Sequence, residues 1–533
     1  MPPRPILPLW AAVAVSVLAG VLFDLAFPSV AWWPMAFVSV ALALVTFIGR
    51  TVGGAFLTGF AYGLSFYLLN VDFTAEWVGP LPWLALSLLE ALFVAGGAVL
   101  ISLAYRWVPL VVPRRGRVVL TSMLVAGLWT AKEAVIGGFP YGGFPWGRVG
   151  TSQVNGPFAE VVSWAGTAGL TFLVVALVAA SVEIVRSPRR ARGGGIRPLL
   201  PVAVLALVAT ALLLVPAWAT TPVGTMRVAS VQGNGPAGYF DPREAGDILE
   251  SQYEATKPLF GAEGVDVVLW PEGSVDVDPD SSPVVAAALD RVARQVGAPL
   301  VANRIDRRGD EYFNMSFLWR EGAGIEQTYD KRNPVPFGEY VPDREFYASI
   351  APDLIGMIGR DYTPGTTEPV FDIDGTVAGL AICFDVIYDA LIWEGARDGA
   401  EIYLFQTNNA DFRGTDENLQ QLAVARLRAI ETGRSVVNLS TVGTSQVIAP
   451  DGSTIDGLPA DEPGHMLTDV PLRTGLTPAV IVGPWLNALV AWGSVVVLAG
   501  LGVAARRRAP ARAGARENAG PVGPASRRVR LRR

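Results

Sequence analysis

Apolar residues gather into seven long runs over the first 220 positions, at 7–27, 31–49, 53–70, 81–105, 118–136, 160–185 and 198–219, and into an eighth at 478–504. Each approaches the ~20 residues a helix needs to cross bilayer hydrocarbon. The pattern predicts about eight transmembrane helices. The first run follows Arg4 in the manner of an export signal, but it is longer than a signal core and six more runs follow, so it reads as a retained helix.

Between 222 and 475 the pattern changes to short apolar runs separated by turn residues. Strands are expected near 226–232, 265–270, 300–303, 314–319, 377–382, 402–406 and 436–440, with a hairpin turn at Glu321-Gly-Ala-Gly324. Leu419, Leu422, Ala423, Leu427 and Ile430 recur at helical spacing and predict a helix over 417–432. Strands alternating with helices over this length fit one layered α/β domain. The boundaries that follow are 1–221 for seven membrane helices, 222–475 for the α/β domain, 476–505 for a last membrane helix and 506–533 for a basic, unstructured tail.

At 533 residues and 51% hydrophobic composition the chain is a membrane protein by default. Charge orients it. Outside 222–475 there are 23 Lys and Arg, and 21 of them fall on one side if the runs alternate; only Lys132 and Arg148 fall on the other. The positive-inside bias makes that side cytoplasmic, with both termini, and puts 222–475 outside. The outer block carries 40 acidic against 19 basic residues, which suits a soluble surface and excludes nucleic acid as a partner.

The chain has a single cysteine, Cys383, at the end of the strand-like 377–382 run, so no internal disulfide exists. Cys383 is either a small buried hydrophobe or a nucleophile. A thiol attacks only as thiolate and needs a base or a cation nearby. The one histidine, His465, lies in a turn with no other site residue around it, so a catalytic Cys383 would need a carboxylate as base. Asp266-Val-Val-Leu-Trp-Pro-Glu272 delivers one where a buried strand stops. Tyr329-Asp-Lys331-Arg-Asn-Pro-Val-Pro-Phe-Gly-Glu339 is a Pro-punctuated loop carrying a second carboxylate and one of only three lysines, against 39 arginines. Lys331 is either a solvated surface residue or a compact ammonium kept for a developing oxyanion.

Glu272, Lys331 and Cys383 in these settings resemble the nitrilase, or carbon-nitrogen hydrolase, superfamily. With the membrane runs, the resemblance narrows to its membrane-embedded branch, the apolipoprotein N-acyltransferases. It also rests on Val231-Gln-Gly-Asn234, Phe337-Gly-Glu-Tyr340, Thr407-Asn408 and Ala425-Arg-Leu-Arg-Ala-Ile-Glu-Thr-Gly-Arg434. It implies an αββα sandwich, Glu272 as general base, Lys331 at the oxyanion, Cys383 as nucleophile and Glu339 as a carboxylate that orients the lysine. It further implies a phospholipid acyl donor, a diacylglyceryl-modified apolipoprotein acceptor, a bacterial cell membrane, and no cofactor or metal. Lys331→Ala is expected to nearly abolish turnover while leaving the fold intact.

A lipid-fed site should open at membrane level. Phe346, Tyr347, Ile350, Leu354, Met357 and Ile358 form either a lid dipping into the interface or a face packed on the domain's own core. Trp146, in the Gly-, Pro- and aromatic-rich loop 137–147, is either an interfacial anchor or, as the resemblance implies, part of the acyl-chain entrance. Glu90 sits inside the fourth apolar run and is either functional or a neutral hydrogen-bonding group. Phe384, Asp385 and Asp411 depart from the family's common Cys-Tyr-Glu and Asn-Asp-x-Trp-Phe patterns. The rival readings are a membrane-tethered amidase or nitrilase, which would release ammonia without lipid, and a non-enzymatic scaffold, which would be indifferent to loss of Cys383.

Overall fold

The computed structural model describes residues 3–186 and 200–517. The basic cluster after Arg186 and the end of the tail, 518–533, lie outside them. Among the described residues five helices are long and apolar enough to cross a membrane: Val52–Asn70, Pro80–Val111, Arg114–Ile136, Ala159–Arg186 and Pro478–Arg508. Three of the eight expected runs form shorter helices, Leu9–Asp24, Pro34–Phe47 and Leu200–Leu213.

These hold 16, 14 and 14 residues, and at 1.5 Å per residue reach about 21–24 Å, against ~30 Å of hydrocarbon. Apolarity alone overestimates them because proline sets two of their starts: Pro8 precedes the first and Pro34 occupies the first position of the second. The final helix runs on to Glu517, so 506–517 extends it instead of opening an unstructured tail. Alanine and arginine, which dominate that stretch, are strong helix formers.

Small residues let the membrane helices approach. A Cβ on Gly59 would lie 2.4 Å from Ala98 Cβ, and one on Gly63 would lie 2.9 Å from Ala91 Cα. Close backbone packing of this kind holds helices together in lipid, where apolar burial gains nothing.

The remaining chain forms two six-stranded sheets. The first has the order β12-β1-β2-β3-β4-β5, from β1 (Thr221–Gln232), β2 (Val267–Leu269), β3 (Leu300–Arg308), β4 (Glu311–Arg320), β5 (Gly324–Asp330) and β12 (Gly464–Thr474). The second has the order β11-β10-β9-β8-β7-β6, from β6 (Val370–Ile373), β7 (Thr376–Ile382), β8 (Ile402–Thr407), β9 (Ser435–Ser440), β10 (Ser445–Ile448) and β11 (Thr454–Leu458). In each sheet three strands run parallel, β1 to β3 and β7 to β9, and antiparallel strands finish the edges.

Alternation along each strand divides the side chains between two cores. Met226 and Val228 of β1 meet Leu380 and Ile382 of β7, Leu404 of β8 and Leu439 of β9 between the sheets. Ala229 and Val231 turn the other way and pack with Leu249, Leu289 and Val292 of the helices Asp247–Thr256 and Pro283–Val296. On the outer face of the second sheet, Tyr403, Phe405 and Val436 join Leu422, Ala425 and Ala429 of the Glu417–Thr432 helix. That core continues without a break to Trp129, Leu170 and Val174 of the membrane helices. A buried ion pair adds to the junction: Asp389 accepts from Arg148 at 2.9 Å and from Arg428 at 2.6 Å.

Strand β12 was not legible from apolar runs. Met466, Thr468, Val470 and Leu472 point inward, but one inward position is a threonine and Pro471 interrupts the run.

Candidate active site

Glu272 stands three residues past β2, Lys331 directly follows β5 and Cys383 directly follows β7. All three line one cavity of about 1130 Å³.

Cys383 adopts φ 49°, the left-handed region that a non-glycine residue enters only under constraint, and it opens the tight turn Cys383–Ile387. The constraint is Asp385. Its carboxylate accepts from Tyr329 Oη at 2.8 Å, from Asn333 N and Asn333 Nδ2 at 2.9 Å each, and from Ile382 N at 3.3 Å. The shortened carboxylate that departs from the family pattern thus ties the Lys331 loop to the nucleophile turn.

The lysine is 2% exposed. Its backbone N–H donates to Asn314 O at 2.8 Å and its carbonyl accepts from Gly365 N at 2.8 Å, so the residue is held from both sides. Lys331 Nζ lies 2.8 Å from Glu339 Oε2 and 3.5 Å from Glu272 Oε1. Burial alone would lower its pKa, but the carboxylates of Glu339 and Glu272 outweigh burial and hold the ammonium well above its ordinary value.

Asn314, which the sequence reading passed over, joins the two carboxylates. Its Nδ2 donates to Glu272 Oε1 at 2.7 Å and to Glu339 Oε1 at 3.1 Å, and its Oδ1 accepts from Asn303 Nδ2 at 2.9 Å. The available signal was a polar residue at the head of the largely apolar 314–319 run. Glu272 Oε2 is buried with no hydrogen-bond partner among the described residues. Burial raises the Glu272 carboxyl, opposed by Lys331 and helped by Glu339. Burial, with repulsion from Glu272, also pushes the Cys383 thiol well up, against the pull of Lys331. The thiol is therefore neutral at rest and must lose its proton as it attacks.

One side of the cavity wall is apolar and comes from the membrane helices and their loops. Leu81, Ala85 and Leu89 of the Pro80–Val111 helix line it, as do Phe139, Tyr141, Phe144 and Trp146. Trp146 is buried, and its Nε1 donates to Gln420 Oε1 at 2.6 Å. Phe144 stacks on Phe384 with centroids 5.9 Å apart. Glu90 lines the cavity too, and its Oε2 has no hydrogen-bond partner among the described residues.

The 346–358 stretch serves both expected roles. Tyr347, Ile350, Leu354, Ile355 and Ile358 line the cavity, Ile350 being 65% exposed. Ile355 and Ile358 also pack with Val341 in a small local core. Phe346 is 59% exposed and is not among the residues that line the cavity.

Residues 19–180 match the family model of the apolipoprotein N-acyltransferase N-terminal domain, and residues 227–475 match that of the carbon-nitrogen hydrolases. Over 532 residues the chain is 31% identical to an apolipoprotein N-acyltransferase of Mycolicibacterium smegmatis, covering 92% of this chain and 84% of that one. It is 31% identical over 531 residues to the enzyme of that name from Azotobacter vinelandii, covering 94% and 96%. Among solved structures, an amidase from Nesterenkonia sp. aligns at 21% identity and a TM-score of 0.36, covering 48% of this chain and 93% of that one. With both halves matched and full-length relatives at this identity, the chain belongs to the apolipoprotein N-acyltransferase family.

Proposed function

We propose that this protein moves a fatty acyl chain from a membrane phospholipid, through a thioester on Cys383, to the α-amine of the S-diacylglyceryl-cysteine that begins an apolipoprotein. The observation that carries this reading is the shared cavity, in which Glu272, Lys331 and Cys383 meet walls built from Leu81, Ala85 and Leu89 of a membrane helix. A hydrolase of small amides has no use for such walls.

In the first half-reaction the thiol proton passes to Glu272, whose Oε2 is free to accept it. Sγ bonds to the ester carbonyl carbon, and the oxygen that becomes negative is stabilised by the Lys331 ammonium. The ester C–O bond then breaks, Glu272 returns the proton to the departing lysophospholipid oxygen, and the thioester remains. In the second half-reaction the acceptor nitrogen attacks that carbon, the C–S bond breaks and the sulfur takes up a proton. Glu339 and Asn314 keep the lysine and the base in place throughout.

Eight crossings, with the three shorter helices included, would place residues 222–475 outside the cytoplasm and both termini inside. The supporting observation is the arginine bias, 21 of 23 basic residues on one side. The boundaries 1–221, 222–475, 476–505 and 506–533 describe that arrangement, with the last helix continuing beyond its boundary.

Mass spectrometry after incubation with phospholipid tests the reaction. The peptide containing residue 383 should gain one fatty acyl chain, and hydroxylamine should remove it. Acylation of a Cys383→Ser or Cys383→Ala protein at the normal rate would reject the assignment, and ammonia released from small amides without lipid would favour a hydrolase.

A further inference from the structure

The cavity holds a carboxylate that the reaction written above leaves idle. Glu417 opens the Glu417–Thr432 helix, is 4% exposed and lines the cavity with Cys383. Its Oε2 accepts from Asn409 Nδ2 at 2.7 Å, and the same amide reaches Gln421 Oε1 at 3.1 Å. Gln421 Nε2 in turn lies 3.5 Å from Cys383 Sγ. Glu417 Oε1 has no hydrogen-bond partner among the described residues.

The charges facing Glu417 are Glu272 and the Cys383 sulfur across the cavity. Burial, and to a smaller degree Glu272, push its carboxyl up to about 7, against the Asn409 hydrogen bond. A group so poised can both take and release a proton near neutrality.

The proton count of the second half-reaction calls for such a group. An α-amine with a pKa near ~8 arrives at pH 7 mostly as ammonium. Ammonium plus thioester gives amide, thiol and one proton over. The nitrogen therefore sheds two protons. One ends on sulfur as the C–S bond breaks, and Glu272 can carry it there. The other must leave before the N–C bond forms, because an ammonium has no lone pair, and Glu272 must still be unprotonated at that moment.

Building on the thioester reading, we propose that Glu417 is the second proton acceptor of the cycle. It removes the acceptor ammonium's proton before the nitrogen attacks the Cys383 thioester and then passes that proton to solvent. The site thus has one carboxylate for the thiol and another for a cationic primary amine.

The test starts from full-length enzyme loaded with acyl chain from phospholipid, and compares discharge by a diacylated lipopeptide with discharge by hydroxylamine, which is already neutral at pH 7. Glu417→Gln should form the thioester and discharge to hydroxylamine within about threefold of the parent. Its transfer to the lipopeptide amine should be slower by about 10- to 100-fold at pH 7, with the gap closing by pH 9 as the ammonium loses its proton unaided. Equal slowing with both nucleophiles, or with neither, overturns the proposal. If Glu417→Gln fails to fold or load, Glu417→Ala, which also removes the carboxylate, must show the same selectivity against the lipopeptide, and its absence also overturns the proposal. Failure of the parent protein to load Cys383 would instead overturn the thioester reading itself.

Discussion

Lys331 and Glu339 form the shortest ion pair of the site, 2.8 Å from Nζ to Oε2, around an ammonium that is only 2% exposed. With Glu272 at 3.5 Å the cluster holds two carboxylates against one cation. Glu339 neutralises the lysine, and the second carboxylate is left to act as base.

Removing the cation therefore affects more than rate. Lys331→Ala should lower thioester formation by about 10²–10³-fold, as expected for loss of an oxyanion donor. It should also lower stability by about 3–5 kcal/mol, since it leaves buried carboxylates without their partner. This revises the sequence-based expectation of an intact fold. Thermal melting alongside single-turnover acylation checks both, and an unchanged Tm would contradict the buried pairing.

Glu272→Gln should move the Cys383 thiol in the opposite direction to activity. Burial and the Glu272 charge both raise the thiol, and Lys331 lowers it. Removing the carboxylate leaves the burial and the attractive cation, so the thiol pKa falls. Alkylation of Cys383 by iodoacetamide should then begin at lower pH than in the parent, while acyl transfer collapses for want of a base. An upward shift, or none, would remove Glu272 from the vicinity of the sulfur.

Asn314→Ala should narrow the active pH range from the acid side. The Asn314 hydrogen bond lowers the Glu272 carboxyl against burial, and without it that carboxyl rises further. The base is then lost at a higher pH as the solution is acidified. The acid limb of the thioester-forming rate should move up, and kcat near neutrality should fall by about 10-fold. An unmoved limb would reduce Asn314 to a packing role.

Trp146 and Phe346 should separate cleanly. Trp146 is buried in the cavity wall and bonded to Gln420, so Trp146→Ala should raise KM for phospholipid at least several-fold with a smaller change in kcat. Phe346 is 59% exposed and outside the lining, so Phe346→Ala should leave both constants within about twofold, as for most surface substitutions. Equal losses in the two variants would mean that Phe346 also contributes to the entrance.

Local pattern was enough to mark the membrane helices, most strands of the α/β domain and the three candidate chemical groups. Eight apolar runs stand out because lipid tolerates little else, and a lone cysteine or a rare lysine stands out by composition. The short strands β6, β10 and β11 were less visible, because they are only four or five residues long. Helix lengths also depended on where proline and turns cut the apolar runs.

Proximity was decided only by the tertiary structure. Strand order carries Glu272, Lys331 and Cys383 to one cavity from positions 59 and 52 residues apart. It also brings Asn314 between two carboxylates and Glu417 into the cavity that holds the thiol; Asn314 shows in the sequence only as a polar residue heading a largely apolar run, and nothing in the sequence marks Glu417 for chemistry. A hydrogen bond or an ion pair across a fold depends on distance in space, whereas hydropathy and composition record only what each residue prefers as its surroundings.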